Sequence, residues 1–169
     1  MTKPTLYILT GLPYSGKTTL TNELVKRFGF KTASVDDVMD ERGLDSDTMV
    51  QEDWNAVYSE AYERLKVNLT KGDSVIFDMG HLKFKERETA RQIAESVGAK
   101  HKLIYINTSP DETRERWARN ETTKERGQLS DRGMKVAFSQ FQEPTADENP
   151  IIYNQQMDLD AWIKESIEI

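Results

Sequence analysis

An α/β fold, a five-stranded parallel sheet with helices on both faces, is the architecture this sequence predicts. Two observations carry it. Short apolar runs alternate with longer stretches whose apolar residues recur at helical spacing, the order of elements from which parallel sheets are built. No proline-, glycine- or serine-rich linker, internal repeat or low-complexity stretch breaks the 169 residues. Residues 1–169 are therefore expected to form one domain with its own core.

Thr5–Thr10 is an apolar strand. The helix Lys17–Phe28 sets Leu20, Leu24 and Phe28 on one face and stops at Gly29. Phe30–Val35 is a second strand, ending in Asp36-Asp37. A long helix covers about Met49–Lys71, with Trp54, Val57, Tyr58, Ala61, Tyr62, Leu65 and Leu69 on one face; its aromatic residues are expected in the core. Ser74–Asp78 is a third strand. The helix Phe84–Val97 aligns Ala90, Ile93, Ala94 and Val97, and Lys102–Asn107 is a fourth strand. Ser109-Pro110-Asp111-Glu112 opens the next helix with an N-cap serine, a first-turn proline and a glutamate three residues on. The charged stretch Asn120–Arg132 has no apolar period. A short helix around Met134–Phe141, a loop with Pro144 and Pro150, a strand Pro150–Tyr153 and a helix Asp158–Ile167 complete the order.

Composition excludes several classes. A net charge of −6 speaks against a nonspecific nucleic-acid coat, which needs a basic footprint, although it leaves room for a local basic groove. Cysteine is absent, which removes disulfides, thiolate catalysis and cysteine zinc sites together. His81 and His101 are too few for a histidine metal cluster. The apolar run after Met1-Thr2-Lys3-Pro4 is too short for a signal peptide, and no segment approaches the roughly 20 apolar residues that span a bilayer. A cytoplasmic protein without a membrane partner is expected.

Gly11-Leu12-Pro13-Tyr14-Ser15-Gly16-Lys17-Thr18 matches the phosphate-binding pattern G-x-x-x-x-G-K-[ST], between a strand and a helix as that pattern requires. Gly11 and Gly16 let the loop turn its backbone N–H groups inward into a concave anion site. Lys17 sits at a helix N-terminus, where free N–H groups and the dipole favour phosphate. Its ammonium can reach β- and γ-phosphates, and the Thr18 hydroxyl can ligate magnesium. The nucleotide-binding set is Gly11, Pro13, Tyr14, Ser15, Gly16, Lys17, Thr18 and Thr19, and ATP with Mg2+ is the expected cofactor pair.

In a parallel sheet, ligands bind beyond the carboxyl ends of the strands. That rule gathers Gly11–Thr18, Asp36-Asp37, Asp78-Met79-Gly80-His81 and Asn107-Thr108 into one site. Phosphoryl transfer to an alcohol needs one carboxylate near magnesium and another for the hydroxyl proton. Asp78 suits the first role, and Asp36 or Asp37 stands on the acceptor side. His81, at the mouth, is a candidate substrate contact. Arg114, Arg116, Arg119, Arg126 and Arg132 crowd one segment, where guanidinium forks could close over phosphoryl oxygens. An arginine-rich lid at about 120–133 is expected, mobile without ligand, with Arg126 and Arg119 its catalytic candidates. Glu112, Glu115, Glu121 and Glu125 offer the plainer account of a solvated face of paired charges.

With the phosphate loop, the Asp36-Asp37 pair, Val75-Ile76-Phe77-Asp78 before a helix rich in Glu and Arg, Arg119-Asn120 leading to Arg126-Gly127, and Phe141-Gln142-Glu143-Pro144, the chain resembles the small P-loop kinases of the AAA-type ATP-binding group. These include the kinase domain of polynucleotide kinase, chloramphenicol phosphotransferase and the zeta-toxin kinases. The resemblance implies a P-loop NTPase fold, a general-base role for Asp36, phosphate contacts from Lys17, magnesium at Thr18 and a lid arginine at Arg126. Polynucleotide kinases carry an arginine shortly after the aspartate pair; here Val38-Met39 stand there, and Asp40-Glu41 would repel a polyanion. The expected function is transfer of the γ-phosphoryl of ATP to a hydroxyl of a small acceptor. A 5′-hydroxyl polynucleotide kinase, or a nucleotide-binding regulatory module with weak ATPase activity, are the alternatives.

Overall fold

The computed structural model describes residues 2–78 and 83–167. Five parallel strands form one sheet: β1 (Thr5–Thr10), β2 (Lys31–Ser34), β3 (Val75–Asp78), β4 (Lys100–Ile106) and β5 (Ile151–Tyr153), in the order β2-β3-β1-β4-β5. β1 lies at the centre with every residue buried, as a strand covered on both faces must be.

Alternation along β1 divides the interior into two layers. Leu6 and Ile8 join Ala33, Phe77 and Leu103 on one face, under α2 (Val35–Arg42), α3 (Gln51–Thr70) and α4 (Phe84–Ser96). Tyr7 and Leu9 join Ile76, Ile104 and Ile106 on the other, under α1 (Lys17–Phe28) and α7 (Leu159–Ser166). The helices contribute through the spacings read from the sequence: Leu20 and Leu24 from α1, Val57, Ala61, Leu65 and Leu69 from α3, Ala90 and Ala94 from α4. Among the described residues no helix is long and apolar enough to cross a membrane.

Three differences from expectation bear on the site. The second strand ends at Ser34, and Asp36-Asp37 lie in the first turn of α2 rather than at a strand tip. Ser34 caps that helix, its side chain accepting from the Asp37 amide at 3.3 Å, and Gly43 closes it in the left-handed conformation (φ 64°). The stretch 120–133 is not one element. α5 (Pro110–Thr123) continues through Asn120 and α6 (Asp131–Gln140) already holds Arg132, so only 124–130 connects them. Finally, Trp54, Tyr58 and Tyr62 are half-buried, packed at the edge of the core rather than inside it.

The loop after α6 is pinned to α4 by an ion pair in the interior. Glu148 accepts from Arg87 at two points, 2.8 and 2.7 Å, and from Arg91 at 3.1 Å, while Arg87 also donates to the Gln142 carbonyl at 2.9 Å. Both side chains of the Arg87–Glu148 pair are at most 2% exposed.

Candidate functional site

The loop Gly11–Gly16 leaves the end of β1 and feeds directly into α1. Its two glycines are dictated by neighbours. A Cβ on Gly11 would lie 2.8 Å from the Ile106 carbonyl oxygen; one on Gly16, where φ is 108°, would lie 1.8 Å from Gln155 Nε2. The first helical hydrogen bond runs from the Leu20 amide to the Gly16 carbonyl, so the amides of Lys17, Thr18 and Thr19 have no intrahelical partner. Thr18 and Thr19 are exposed and Pro13 half-buried. Lys17 curls back over the loop, donating from Nζ to the Gly11 and Leu12 carbonyls, both at 2.9 Å.

Carbonyls on the far side of the loop are tied down. The Ser15 carbonyl accepts from Thr108 Oγ1 at 2.7 Å, from Gln155 Nε2 at 2.8 Å and from Arg116 at 3.2 Å. Arg116 also reaches the Tyr14 carbonyl at 3.3 Å and is itself held by Glu112 and by Gln155 Oε1. The Ser15 amide donates to the Leu12 carbonyl at 3.1 Å, which leaves the amides at the start of α1 as the ones an anion could take. The Ser15 hydroxyl, by contrast, is buried without a hydrogen-bond partner among the described residues.

Tyr14 links the loop to the connection between α5 and α6. Its backbone is in the left-handed region (φ 64°) and the residue is buried. The Arg126 guanidinium lies over its ring, 4.3 Å from the centroid. The Tyr14 hydroxyl donates to the Gly127 carbonyl at 3.3 Å and accepts from the Leu129 amide at 3.0 Å. Asn120, buried, holds the same turn from the other side, donating to the Arg126 carbonyl at 3.0 Å and accepting from the Arg126 amide at 3.2 Å. Trp117 Nε1 donates to the Leu129 carbonyl at 2.7 Å. The segment without an apolar face is thus seated by side-chain-to-backbone hydrogen bonds.

Asp78 ends β3, in register with Leu9 of β1 on one side and Ser34 of β2 on the other. The carboxyl ends of these neighbouring strands bring Asp78, the glycine loop and the start of α2 together. Burial lowers the Lys17 pKa; Asp78 and Asp36 oppose that shift, and Arg126 adds to it. Burial likewise raises the Asp36 pKa above 3.8, against Arg126 and Lys17 and with help from Asp40 and Asp37. Lys17 therefore feels the charges of Asp78, Asp36 and Arg126, and Asp36 those of Lys17 and Arg126. Asp36 remains solvent-accessible, as a group that meets a ligand must be.

Beside Asp36 opens a cavity of about 830 Å³ between α2, α3, the start of α4 and α6. Asp36 is in its wall and Asp37 is not. Trp54, Tyr58 and Tyr62 line one side, successive ring centroids 6.3 Å apart. Burial and the nearby Glu86 raise both phenol pKa values, that of Tyr62 to about 12, so both stay protonated and able to donate. His81 lies outside the described residues. Arg119 is exposed on α5 and, among the described residues, makes no contact with the loop; Arg116 of the same helix holds the loop's carbonyls instead. The signal for Arg116 was in the sequence. It shares a helix face with Thr113, Trp117 and Asn120, from which Arg119 is turned away. Gln155, distant in sequence, had no local signal.

A parallel sheet with this glycine loop on its central strand and a cavity beyond its strand ends defines a P-loop protein of the small kinase-like α/β class. The chain belongs to the AAA domain family, whose model matches residues 6–144. No curated protein sequence matches it. Among solved structures it is similar to Chaetomium thermophilum Kti12 in complex with ADP-AlF3, at 18% identity and TM-score 0.72 over 94% of each chain. It is also similar to Mycobacterium tuberculosis APS kinase in complex with AMPPNP and APS, at 15% identity and TM-score 0.68, over 99% of this chain and 97% of that one. A gluconokinase from Sinorhizobium meliloti matches at 14% identity and TM-score 0.67, over 98% of this chain and 90% of the other. At such identities the likeness is one of fold.

Proposed function

We propose that the chain is an ATP-dependent phosphotransferase that moves a γ-phosphoryl group to a hydroxyl of a small acceptor, in the cytoplasm. One juxtaposition supports the reading: Asp36, in the wall of a cavity large enough for an acceptor, lies within charge range of the phosphate-loop Lys17 and of Arg126, and Lys17 within charge range of Asp78. The acceptor oxygen bonds to the γ-phosphorus, the bond to the bridging oxygen of ADP breaks, and Asp36 takes the hydroxyl proton. A carboxylate with a raised pKa is a stronger base for that task. Lys17 exchanges its hydrogen bonds to neutral carbonyls for charge-assisted ones to phosphate. Arg126 leaves the Tyr14 ring for the oxygens over which charge spreads.

The donor set fits magnesium. The Thr18 hydroxyl and the Asp78 carboxylate are hard oxygen ligands, and among the described residues no cluster of three or more acidic or imidazole groups forms a dedicated cage. That suits an ion which keeps its waters and is held partly by substrate phosphates; when bound it would neutralise phosphate charge.

The 5′-hydroxyl polynucleotide reading gains one point. Glu41, expected to repel a polyanion, is paired with Arg64, so of that couple Asp40 is the one left to act on Asp36. The decisive experiment is Lys17→Ala, which should abolish tight ATP binding while the far-ultraviolet circular dichroism stays unchanged. ATP consumption should accelerate with a particular alcohol in an acceptor screen. Unchanged affinity and turnover in Lys17→Ala would overturn the phosphotransferase, and acceptor-independent turnover would favour the regulatory module.

A further inference from the structure

We propose that Thr108 and Gln155 are positioning residues for phosphate. Acting through the Ser15 carbonyl, they lock the peptide between Ser15 and Gly16 in the orientation that offers a bound anion an amide rather than a carbonyl. This role rests on the phosphotransferase reading, in which the loop takes the phosphates of ATP, and deepens it. A peptide unit is planar and trans, so its N–H and C=O point opposite ways. The Ser15 carbonyl is held by Thr108 Oγ1 at 2.7 Å and by Gln155 Nε2 at 2.8 Å, which turns the Gly16 amide away from both. That amide enters no hydrogen bond among the described residues, and the open amides of Lys17, Thr18 and Thr19 follow it.

Gly16 does not choose the orientation by itself. A half-turn of the peptide would take its φ from 108° to about −70°, a value equally open to glycine. The turned peptide would point a carbonyl oxygen where the amide had been, replacing attraction for phosphate with repulsion. The choice therefore falls to whatever holds the carbonyl. Both holders come from the strand ends on one side of β1: Thr108 lies just beyond β4 and Gln155 just beyond β5. Those two ends are joined where the Asn107 amide donates to the Tyr153 carbonyl at 3.0 Å. Thr108 and Ser15 are both buried, so water does not compete for their bond. Gln155 lies flush against Gly16, and Arg116, the longer third donor to the carbonyl at 3.2 Å, also fixes Gln155 by donating to Oε1 at 3.2 Å.

Two ligands that share only their phosphates separate the outcomes. Inorganic pyrophosphate and AMPPNP, each with magnesium, are titrated into wild type and variants by calorimetry. Thr108→Val removes the hydroxyl and keeps the branched shape. It should weaken both ligands by the same factor, about 3- to 10-fold, the loss expected for one hydrogen bond of ordinary net strength. Thr108→Ser, which keeps the donor, should bind both as wild type does. Gln155→Leu should weaken both in the same parallel way; because Gln155 is exposed, this variant gives the reading even where Thr108→Val fails to fold. Unchanged pyrophosphate affinity in Thr108→Val and Gln155→Leu overturns the proposal. A loss confined to AMPPNP also overturns it and gives the two residues to the nucleoside instead. An equal loss in Thr108→Ser and Thr108→Val overturns it by showing that the hydroxyl is not what acts. Wild type that binds neither ligand is a separate, earlier readout, which removes the phosphotransferase reading and this role with it.

Discussion

Tyr14→Phe should loosen the connection between α5 and α6 from the phosphate loop by a calculable amount. The substitution removes only the phenolic oxygen, which accepts from the Leu129 amide at 3.0 Å and donates to the Gly127 carbonyl at 3.3 Å. A ring remains beneath the Arg126 guanidinium, 4.3 Å away. Backbone strain cancels, since phenylalanine carries the same Cβ into the left-handed conformation at φ 64°. Two neutral hydrogen bonds contribute about 1–3 kcal/mol net. At tenfold per 1.4 kcal/mol, opening of the segment should become about 5- to 140-fold more favourable. Tyr14→Leu also removes the ring, and loss of a cation–π contact of about 0.5–1 kcal/mol adds a further factor of about 2 to 5. Hydrogen exchange at the Leu129 amide reads this directly, because exchange through a rapidly reclosing state scales with the opening constant. Trypsin cleavage after Lys124 and Arg126 should rise in the same order, while exchange in β1 stays constant. Unchanged exchange at Leu129 in Tyr14→Phe would refute the latch.

Asp36→Asn should lower phosphoryl transfer by about 10²–10⁴-fold with nucleotide affinity little changed. The wild-type acid limb should lie above the ordinary carboxylate value of 3.8, because burial raises the Asp36 pKa, and it should vanish from the residual activity of the variant. The same raised pKa means that ionised Asp36 costs stability as pH climbs from 3.8 through the folded-state value, so Asp36→Asn should melt no lower than wild type at pH 7. Arg116→Ala should weaken ATP binding about tenfold, measured by calorimetry, by freeing the Tyr14 and Ser15 carbonyls, while Arg119→Ala should leave that affinity unchanged. Glu148→Gln should destabilise the fold by about 3–5 kcal/mol in denaturant titration, because it takes the carboxylate charge away from the buried Arg87. Burial pushes Glu148 up, but Arg87, the Thr145 amide and Arg91 outweigh it and hold its pKa below 4.5. Its contribution is therefore fully present above pH 4.5 and fades as acid titrates it, so wild type and variant should converge at low pH.

What could be read in advance was what is local. The glycine loop and α1 are written in consecutive residues, and the structure places that helix at Lys17–Phe28 as its apolar spacing predicts. α2 was also written locally, in Ser34 before an acidic first turn and Gly43 after it. The strand-like run Phe30–Val35 hides it, because a strand that continued through Val35 would put Asp36-Asp37 at its tip. The latch on Tyr14 had no such signal. Its partners Gly127 and Leu129 lie 113 and 115 residues away, and nothing in a tyrosine at a variable loop position announces which distant carbonyl it will meet. Arg126 and Arg116 stand in the same arginine-rich segment, and only the face of α5 that turns inward separates the loop-bound Arg116 from the exposed Arg119.

The three donors on the Ser15 carbonyl set an order of assembly. Thr108, Arg116 and Gln155 follow Ser15 by 93, 101 and 140 residues. At synthesis rates of roughly 5–20 residues per second, about 7 to 28 s separate the making of the loop from the arrival of Gln155. For much of that interval β1 has the helix it feeds but not the late chain that braces its loop, and the pairing of β1 with β4 and of β4 with β5 is still to come. A nascent chain therefore carries the whole phosphate-binding motif without the means to hold its shape. On the phosphotransferase reading proposed above, ATP would become a ligand late, and its binding would reward the finished fold rather than guide its formation.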